Sequence, residues 1–148
     1  MKGANPYLNF PGNTMEVFDF YRSVLGGEFL GVMRYRDFGD NGMGVPEGEL
    51  DKIAHIALPL GGENMLMATD TLESQPLTAG NNFYIHLETD DVQEAERVFQ
   101  GLSNGGSVEM PLETTEWAEK YGSLRDRFGV QWMISYTGNV EFTMGDPS

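Results

Sequence analysis

The sequence predicts an α+β fold in which two βαβββ repeats curl mixed sheets around a shared hollow. The order strand, capped helix, Gly-Gly pair and three strands occurs twice along the chain. Each predicted helix is apolar on one face only, which suits a helix that covers one face of a sheet. The other face of each sheet also needs cover, and two such units side by side supply it by curling around a common space.

The chain length of 148 residues suits one domain with an internal repeat. We expect a single domain over 1–148. Repeat one covers about 4–70, a linker about 71–81 and repeat two about 82–137, with a loose tail at 138–148.

The first repeat begins with a short strand over about 4–10. A helix follows over Thr14–Leu25, because apolar residues recur there at helical spacing. Three further strands are predicted at about 28–35, 52–60 and 64–69. The intervening segment 37–49 is rich in Gly, Pro and acidic residues and is predicted to be a flexible surface loop.

The second repeat has the same order. A strand is predicted over 82–89, and a helix follows whose apolar face carries Val92, Ala95, Val98, Phe99 and Leu102. Three strands come after it, at about 107–113, 122–125 and 130–136.

Both predicted helices carry a start signal. Asn13 has Glu16 three residues later, and Asp91 has Glu94 three residues later, as in a capping box. We therefore expect Asn13 and Asp91 to be the N-caps of the two helices.

Composition excludes several classes of function. The chain has no cysteine, so disulfides, thiolate metal sites and a cysteine nucleophile are ruled out. Its net charge of −14 repels nucleic acid and anionic lipid, tolerates cationic ligands and favours solubility. No apolar run approaches the ~18–20 residues of a membrane span, and no signal-peptide pattern is present. We expect a cytoplasmic protein without nucleic-acid or membrane partners.

Several segments, taken in order, resemble the vicinal-oxygen-chelate superfamily, which includes glyoxalase, bleomycin-resistance proteins and dioxygenases. The helix of Asn13–Gly27 is similar to its first-helix signature, and Asp126–Ile134 resembles its closing hairpin. Five further segments resemble the PhnB-like branch of the superfamily. They are Asn5–Asn13, Lys52–His55, Met65–Met67, Glu113-Thr114 with Trp117, and Phe128–Ile134. The resemblance implies two βαβββ repeats, a small-molecule site in the hollow and a homodimer.

The resemblance also implies four positions at which such enzymes hold a divalent metal. In this chain those positions carry Asn5, Met65 or Met67, Tyr84, and Met133. Asparagine is a poor ligand, and thioethers suit soft metals rather than Mg, Mn or Zn. We therefore expect no cofactor, with a divalent metal as the alternative.

The two histidines are the candidate general bases, since each titrates near neutral pH. His86 shares a strand face with Tyr84 and Glu88, so it is expected to point into the hollow, while Phe83, Ile85 and Leu87 take the helix-packing face. His55 lies in the third strand. A purely structural role is the competing interpretation for both.

Aromatic, methionine and polar side chains are the candidate ligand contacts. Trp117 and Tyr121 are predicted to lie in an irregular stretch that closes the mouth of the hollow. Methionine and aromatic groups make an adaptable apolar surface. The full set is Tyr7, Asn9, Met67, Tyr84, Glu113, Trp117, Tyr121, Gln131 and Met133.

The preferred function is binding of a small molecule, cationic or aromatic, without the usual metal. One alternative is a metal-dependent glyoxalase-like lyase, isomerase or dioxygenase with a noncanonical site built from His55, His86 and Glu113. Another is a metal-free enzyme with His86 or His55 as base and Tyr84 as donor, and a third is an interaction module. Names of the PhnB-like branch refer to phosphonate use and methyl transfer, but this sequence shows no basic phosphonate clamp and no methyl-donor glycine loop.

Overall fold

A computed structural model describes residues 1–39 and 44–140 of the chain. The chain divides into two compact units, Met1–Thr78 and Ala79–Ser148. Each unit contains one α-helix and one four-stranded mixed sheet in the order βαβββ, which confirms the predicted repeat.

Within residues 1–39 and 44–78, the first unit contains four strands, one helix and two short 3₁₀ turns. Its sheet has the order β1-β4-β3-β2, with β1 parallel to β4 and the other pairs antiparallel. The 3₁₀ turn Glu47–Glu49 lies inside the predicted loop, whereas Tyr35–Asp37 begins at the end of the predicted strand 28–35 and reaches the loop only at Asp37. Residues 40–43 of the loop are outside the described residues. The elements are β1 (Tyr7–Phe10), α1 (Thr14–Leu25), β2 (Gly31–Arg34), β3 (Ile53–Gly61) and β4 (Asn64–Asp70).

The second unit repeats this arrangement. Its sheet has the order β5-β8-β7-β6, with β5 parallel to β8 and the other pairs antiparallel. Of the predicted tail, residues 141–148 lie outside the described part of the chain. The elements are β5 (Ile85–Glu88), α2 (Val92–Ser103), β6 (Ser107–Glu113), β7 (Lys120–Arg125) and β8 (Gln131–Tyr136).

Each helix covers one face of its own sheet. Helix α1 packs on β3 and β4, and α2 packs on β6, β7 and β8. The predicted apolar faces are confirmed, since the helical spacing of these side chains turns them toward the sheet. The buried residues are Thr14, Val17, Phe18, Tyr21 and Val24 on α1, and Ala95, Val98, Phe99 and Leu102 on α2. No helix in the described residues is long and apolar enough to cross a membrane.

The two helices begin differently, and one predicted cap is wrong. Asp91 accepts a hydrogen bond from the Glu94 backbone N–H at 2.7 Å, as predicted. Asn13 occupies the N-cap position of α1 but makes no side-chain capping bond. Instead Asp70, at the end of β4, accepts from the Thr14 backbone N–H at 2.9 Å. The free N–H of the first turn is therefore satisfied from the sheet, which leaves Asn13 without that role.

Two further predictions about strand positions are corrected. Tyr121 belongs to β7, where it pairs with Ser135, and is not part of an irregular stretch. Phe83 is 61% exposed and is not core, because β5 begins only at Ile85. The segment before β5 therefore does not continue the alternation that the sequence suggested.

Strand β6 is one of the two outer strands of the second sheet, and nearly all of it is exposed. Its register against β7 shifts between Val108 and Met110 and again between Met110 and Glu113. Pro111 lies within the second of these shifts, directly after Met110. The outer strand is therefore irregular along its length, in contrast to β7 and β8, which pair without interruption.

Candidate functional site

Each sheet has one face that its own helix does not cover. Successive side chains of a strand point to opposite faces, and buried and accessible residues alternate accordingly along β1 and β4. We call these the helix-free faces. On the first sheet, register and alternation place there Tyr7, Asn9, Met33, His55, Met65, Met67 and Thr69.

The polar centre of the first helix-free face is a contact between Tyr7 and His55. The Tyr7 hydroxyl lies 3.2 Å from His55 Nδ1, and the ring centroids are 5.8 Å apart at an interplanar angle of 32°. Partial burial raises the pKa of the Tyr7 phenol, and the neighbouring Tyr35 acts in the same direction. Tyr7 therefore stays neutral at physiological pH and can donate to or accept from the imidazole.

The second helix-free face carries more hydrogen-bonding groups. Its side chains form rows across the sheet, because residues that pair in register lie side by side. One row runs Glu88, Ser135, Tyr121 and Glu113. The next runs His86, Met133, Ser123 and Met110.

Glu88 is the centre of a hydrogen-bond network in the first of these rows. Its Oε1 accepts from the Ser135 hydroxyl at 2.7 Å and from the Thr137 hydroxyl at 2.9 Å. Its Oε2 accepts from the Thr137 backbone N–H at 2.8 Å. Burial raises the pKa of Glu88, but these three hydrogen bonds together with the charge of His86 outweigh it and lower the pKa below its ordinary value.

His86 joins this network from the neighbouring row. Its Nε2 lies 3.4 Å from the Ser135 hydroxyl oxygen. His86 is exposed, whereas Ser135 is only 3% exposed. The imidazole is thus accessible on one side and connected to an ionised carboxylate on the other.

A second set of polar contacts lies at the opposite end of the same face. Arg125 donates to the Gln131 side-chain oxygen at 2.8 Å, and Gln131 donates to the Phe83 carbonyl at 2.7 Å. The Tyr84 hydroxyl donates to Glu109 at 2.9 Å, and this hydrogen bond raises the pKa of Tyr84. These side chains satisfy one another, so Tyr84 and Gln131 are held in place rather than free.

An aromatic pair lies beside the carboxylate of β6. Trp117 packs edge-to-face on Tyr121, with ring centroids 5.3 Å apart and an interplanar angle of 72°. Trp117 is 41% exposed. Glu113 pairs with Tyr121 in register, so its side chain lies on the same face. An accessible indole next to a phenol and a carboxylate offers both a π-face and a negative charge to a ligand.

Comparison with known proteins agrees with this architecture. The family model of the glyoxalase/bleomycin resistance protein/dioxygenase superfamily matches residues 6–134. The chain belongs to this superfamily.

Relatives of the superfamily include "Protein YjdN" of Escherichia coli (strain K12), which is 30% identical over 141 residues. That match covers 88% of this chain and 92% of the relative. Protein PA1353 from Pseudomonas aeruginosa is 38% identical with a TM-score of 0.81, covering 92% of this chain and 98% of that one. A Bacillus cereus structure described as a putative 3-demethylubiquinone-9 3-methyltransferase, PhnB protein, shares the fold at 24% identity and a TM-score of 0.72, covering 91% and 99%.

The positions at which superfamily enzymes were expected to hold a metal carry donors that do not suit a hard divalent ion. Asn5 Oδ1 already accepts from the Met65 backbone N–H at 2.8 Å, and Tyr84 donates to Glu109. Met67 and Met133 offer only thioethers, which are soft ligands. Within residues 1–39 and 44–140, no group of three or more His, Asp or Glu side chains is placed to hold a metal ion.

The predicted site residues fall into two sets, one in each unit. Tyr7, Asn9, His55 and Met67 lie on the first helix-free face. The second set lies on or beside the second face and comprises Tyr84, His86, Glu113, Trp117, Tyr121, Gln131 and Met133.

Sequence reasoning missed the partners that hold the second set in place. Ser135 follows Met133 by two residues, so strand alternation alone could have placed it on the same face. Its contact with Glu88 depends on the parallel register of β5 and β8, and no local pattern reports that register. Glu109 and Arg125 were also missed. Glu109 contacts Tyr84, which lies 25 residues away in the chain, and Arg125 contacts Gln131 across the hairpin of β7 and β8.

Proposed function

We propose that this protein binds a small, cationic or aromatic molecule through the helix-free faces of its sheets. The observation that supports this most directly is the exposed Trp117, packed on Tyr121 beside Glu113. A cation over an indole face gains about 0.5–2 kcal/mol, depending on how far it is desolvated. The net charge of −14 attracts cations to the protein in addition.

The remaining side chains of both faces support an adaptable apolar contact. Met33, Met65 and Met67 lie on the first face, and Met133 lies on the second. Methionine is unbranched and polarizable, so it adjusts to flat ligands of differing outline. The shared hollow expected from the repeat stays a prediction.

Ligand binding is tested with a matched pair of probes, 1-methylquinolinium and neutral quinoline, at pH 7.5. We expect the cationic probe to raise the melting temperature more at equal concentration, because only the folded protein binds it. Trp117→Ala should weaken its affinity about 2- to 30-fold, the range expected for a lost cation–π contact. Trp132, which is fully buried, remains as a fluorescent reference in that variant.

The outcomes separate the parts of this proposal. Equal affinity for both probes, unchanged in the Glu113→Gln variant, would remove the charge preference and leave an aromatic site. Binding that is unaffected by Trp117→Ala would contradict the assignment of Trp117 to the site. The absence of any shift with either probe would contradict binding of this ligand class.

We further propose that the ligand binds without a divalent metal, because the donors at the expected metal positions are an engaged amide, a hydrogen-bonded phenol and thioethers. Purification without a metal-affinity tag, followed by metal analysis and melting with and without EDTA, tests this. We expect an unchanged melting temperature in EDTA. One tightly held metal per chain, with a melt lowered by EDTA, would instead favour a lyase or dioxygenase.

The homodimer implied by the superfamily resemblance is part of the same proposal. Sedimentation equilibrium at several protein concentrations tests it directly. A molecular mass near twice the 16.5 kDa of one chain is expected. A single monomeric species at all concentrations would exclude it.

A further inference from the structure

The His86, Ser135 and Glu88 side chains form a connected chain whose direction can be derived from the distances. The contact between the Ser135 hydroxyl and Glu88 is 2.7 Å, whereas that between Ser135 and His86 Nε2 is 3.4 Å. A hydroxyl has one hydrogen, and it is most strongly held by an ionised acceptor at short distance. The Ser135 hydrogen therefore belongs to Glu88.

This direction determines the state of the imidazole. With its hydrogen committed to Glu88, the Ser135 oxygen can only accept from His86. A neutral imidazole carries one N–H, so that N–H must be on Nε2 and the lone pair must be on Nδ1. Because Ser135 is buried, water does not compete readily for this position. Nδ1 is then the basic atom of an accessible ring.

We propose that His86 is a proton acceptor that acts through Nδ1, with Ser135 and Glu88 as its positioning residues. Its substrates or ligands are molecules that present an acidic C–H, N–H or O–H to this atom. The proton moves to Nδ1 and the electron pair of the broken bond stays on the ligand. The imidazolium that forms keeps its Nε2–H on Ser135, whose hydrogen remains on Glu88, and the carboxylate stabilises the new positive charge. This inference does not depend on the cationic ligand proposed above.

The side chains around His86 on its own sheet are compatible with its role as a proton acceptor. Glu88 lies on the same side of β5 as His86, and Tyr84 precedes the strand. The side chains that share the face on β8 are Gln131, Met133 and Ser135, and none of them is charged. Tyr121 and Arg125 lie one strand further away, on β7. Glu88 is therefore the ionised group that is linked to His86 through hydrogen bonds.

His55 provides an internal reference for the experiment. Its Nδ1 is engaged by the Tyr7 hydroxyl, whereas Nδ1 of His86 has no hydrogen-bond partner among residues 1–39 and 44–140. The chain contains two histidines in total, which makes assignment by substitution simple. Any difference between the two rings is measured in one sample under one set of conditions.

The test is long-range ¹H–¹⁵N NMR of the full chain with ¹⁵N-labelled histidine, at a pH where both rings are neutral. We expect His86 to show a protonated Nε2 and an unprotonated Nδ1. In Ser135→Ala the preference for this tautomer should fall about 2- to 10-fold, the range that corresponds to one lost hydrogen bond. Ser123→Ala is the control that should leave the ring unchanged, because this buried serine lies in the row of His86 but Met133 separates the two residues. A proton on Nδ1 of His86 in the unmodified protein would overturn the proposal.

A second measurement reports the reactivity of the free lone pair. Diethyl pyrocarbonate acylates unprotonated imidazole nitrogen, and mass spectrometry gives the rate at each histidine separately. We expect His86 to react faster than His55, and Ser135→Ala to slow His86 about 2- to 10-fold. Glu88→Gln is the alternative variant if Ser135→Ala does not fold. Equal rates at the two histidines, with no response to either variant, would show that the network does not prepare His86 for proton transfer.

Discussion

The two units share one fold but satisfy the N-termini of their helices by different means. In the second unit, Asp91 caps α2 from the adjacent position in the chain, three residues from its partner Glu94. In the first unit, Asp70 caps α1 from the end of β4, 56 residues away. Asp70 also accepts from the Ile53 backbone N–H at 2.8 Å, so it joins helix, β3 and β4 in one contact set. The comparison shows that the same terminus can be satisfied locally or through tertiary structure.

The largest effect is expected at Asp70, which is only 2% exposed. Asp70→Ala leaves the backbone N–H groups of Thr14 and Ile53 buried without an acceptor. Each such group costs about 1–3 kcal/mol, so we expect a loss of about 3 kcal/mol in the free energy of unfolding. Urea unfolding measures it. A loss below about 1 kcal/mol would show that water takes over the role of the carboxylate.

A smaller difference in the free energy of unfolding is expected between variants at the two N-cap positions, Asp91 and Asn13. We expect Asp91→Ala to cost about 1 kcal/mol, the usual value of a side-chain cap, because it removes the bond to the Glu94 N–H. Asn13→Ala should cost much less, since Asn13 makes no capping bond. Paired urea unfolding of the two variants gives the difference directly. Equal losses would mean that Asn13 stabilises α1 in a way the hydrogen bonds do not show.

The second helix-free face is expected to lose stability in acid. Glu88 in the second unit has a lowered pKa in the folded state, so its ionised form stabilises the fold above the ordinary carboxyl range. That contribution is lost as the pH falls through the folded-state pKa. We expect the unmodified protein to exceed Glu88→Gln in stability near neutral pH and to lose this advantage in acid. Urea unfolding of both proteins between pH 7 and pH 3 tests the sign, and a constant difference over the range would contradict it.

The smallest effect is expected on the first face. Tyr7→Phe removes the hydroxyl that contacts His55 but keeps the ring, which is 46% exposed. We expect a loss below about 1 kcal/mol, because an accessible hydroxyl regains water in the unfolded state. The His55 ring signals should move in ¹⁵N NMR while those of His86 stay. Movement of both rings would indicate coupling between them that the contacts within each unit do not contain.

The same contrast explains how much could be read from the sequence. The bounds of α1, Thr14–Leu25, follow from helical spacing and the Gly-Gly stop, and the Asp91 cap follows from residues three apart. Asp70 was not identified because its partners lie 17 and 56 residues away. His86 was recognised as a candidate by strand alternation. Its partner Ser135 was not, since the register of two parallel strands is set by packing rather than by any local pattern.

The irregular outer strand β6 has a consequence for the behaviour of the protein at high concentration. A straight outer strand presents an unbroken ladder of free backbone donors and acceptors, on which a strand of another molecule can assemble. Along β6 that ladder is interrupted by two register shifts and by Pro111, which has no N–H to offer. Strand-by-strand growth into insoluble aggregates is therefore disfavoured at this edge of the second sheet.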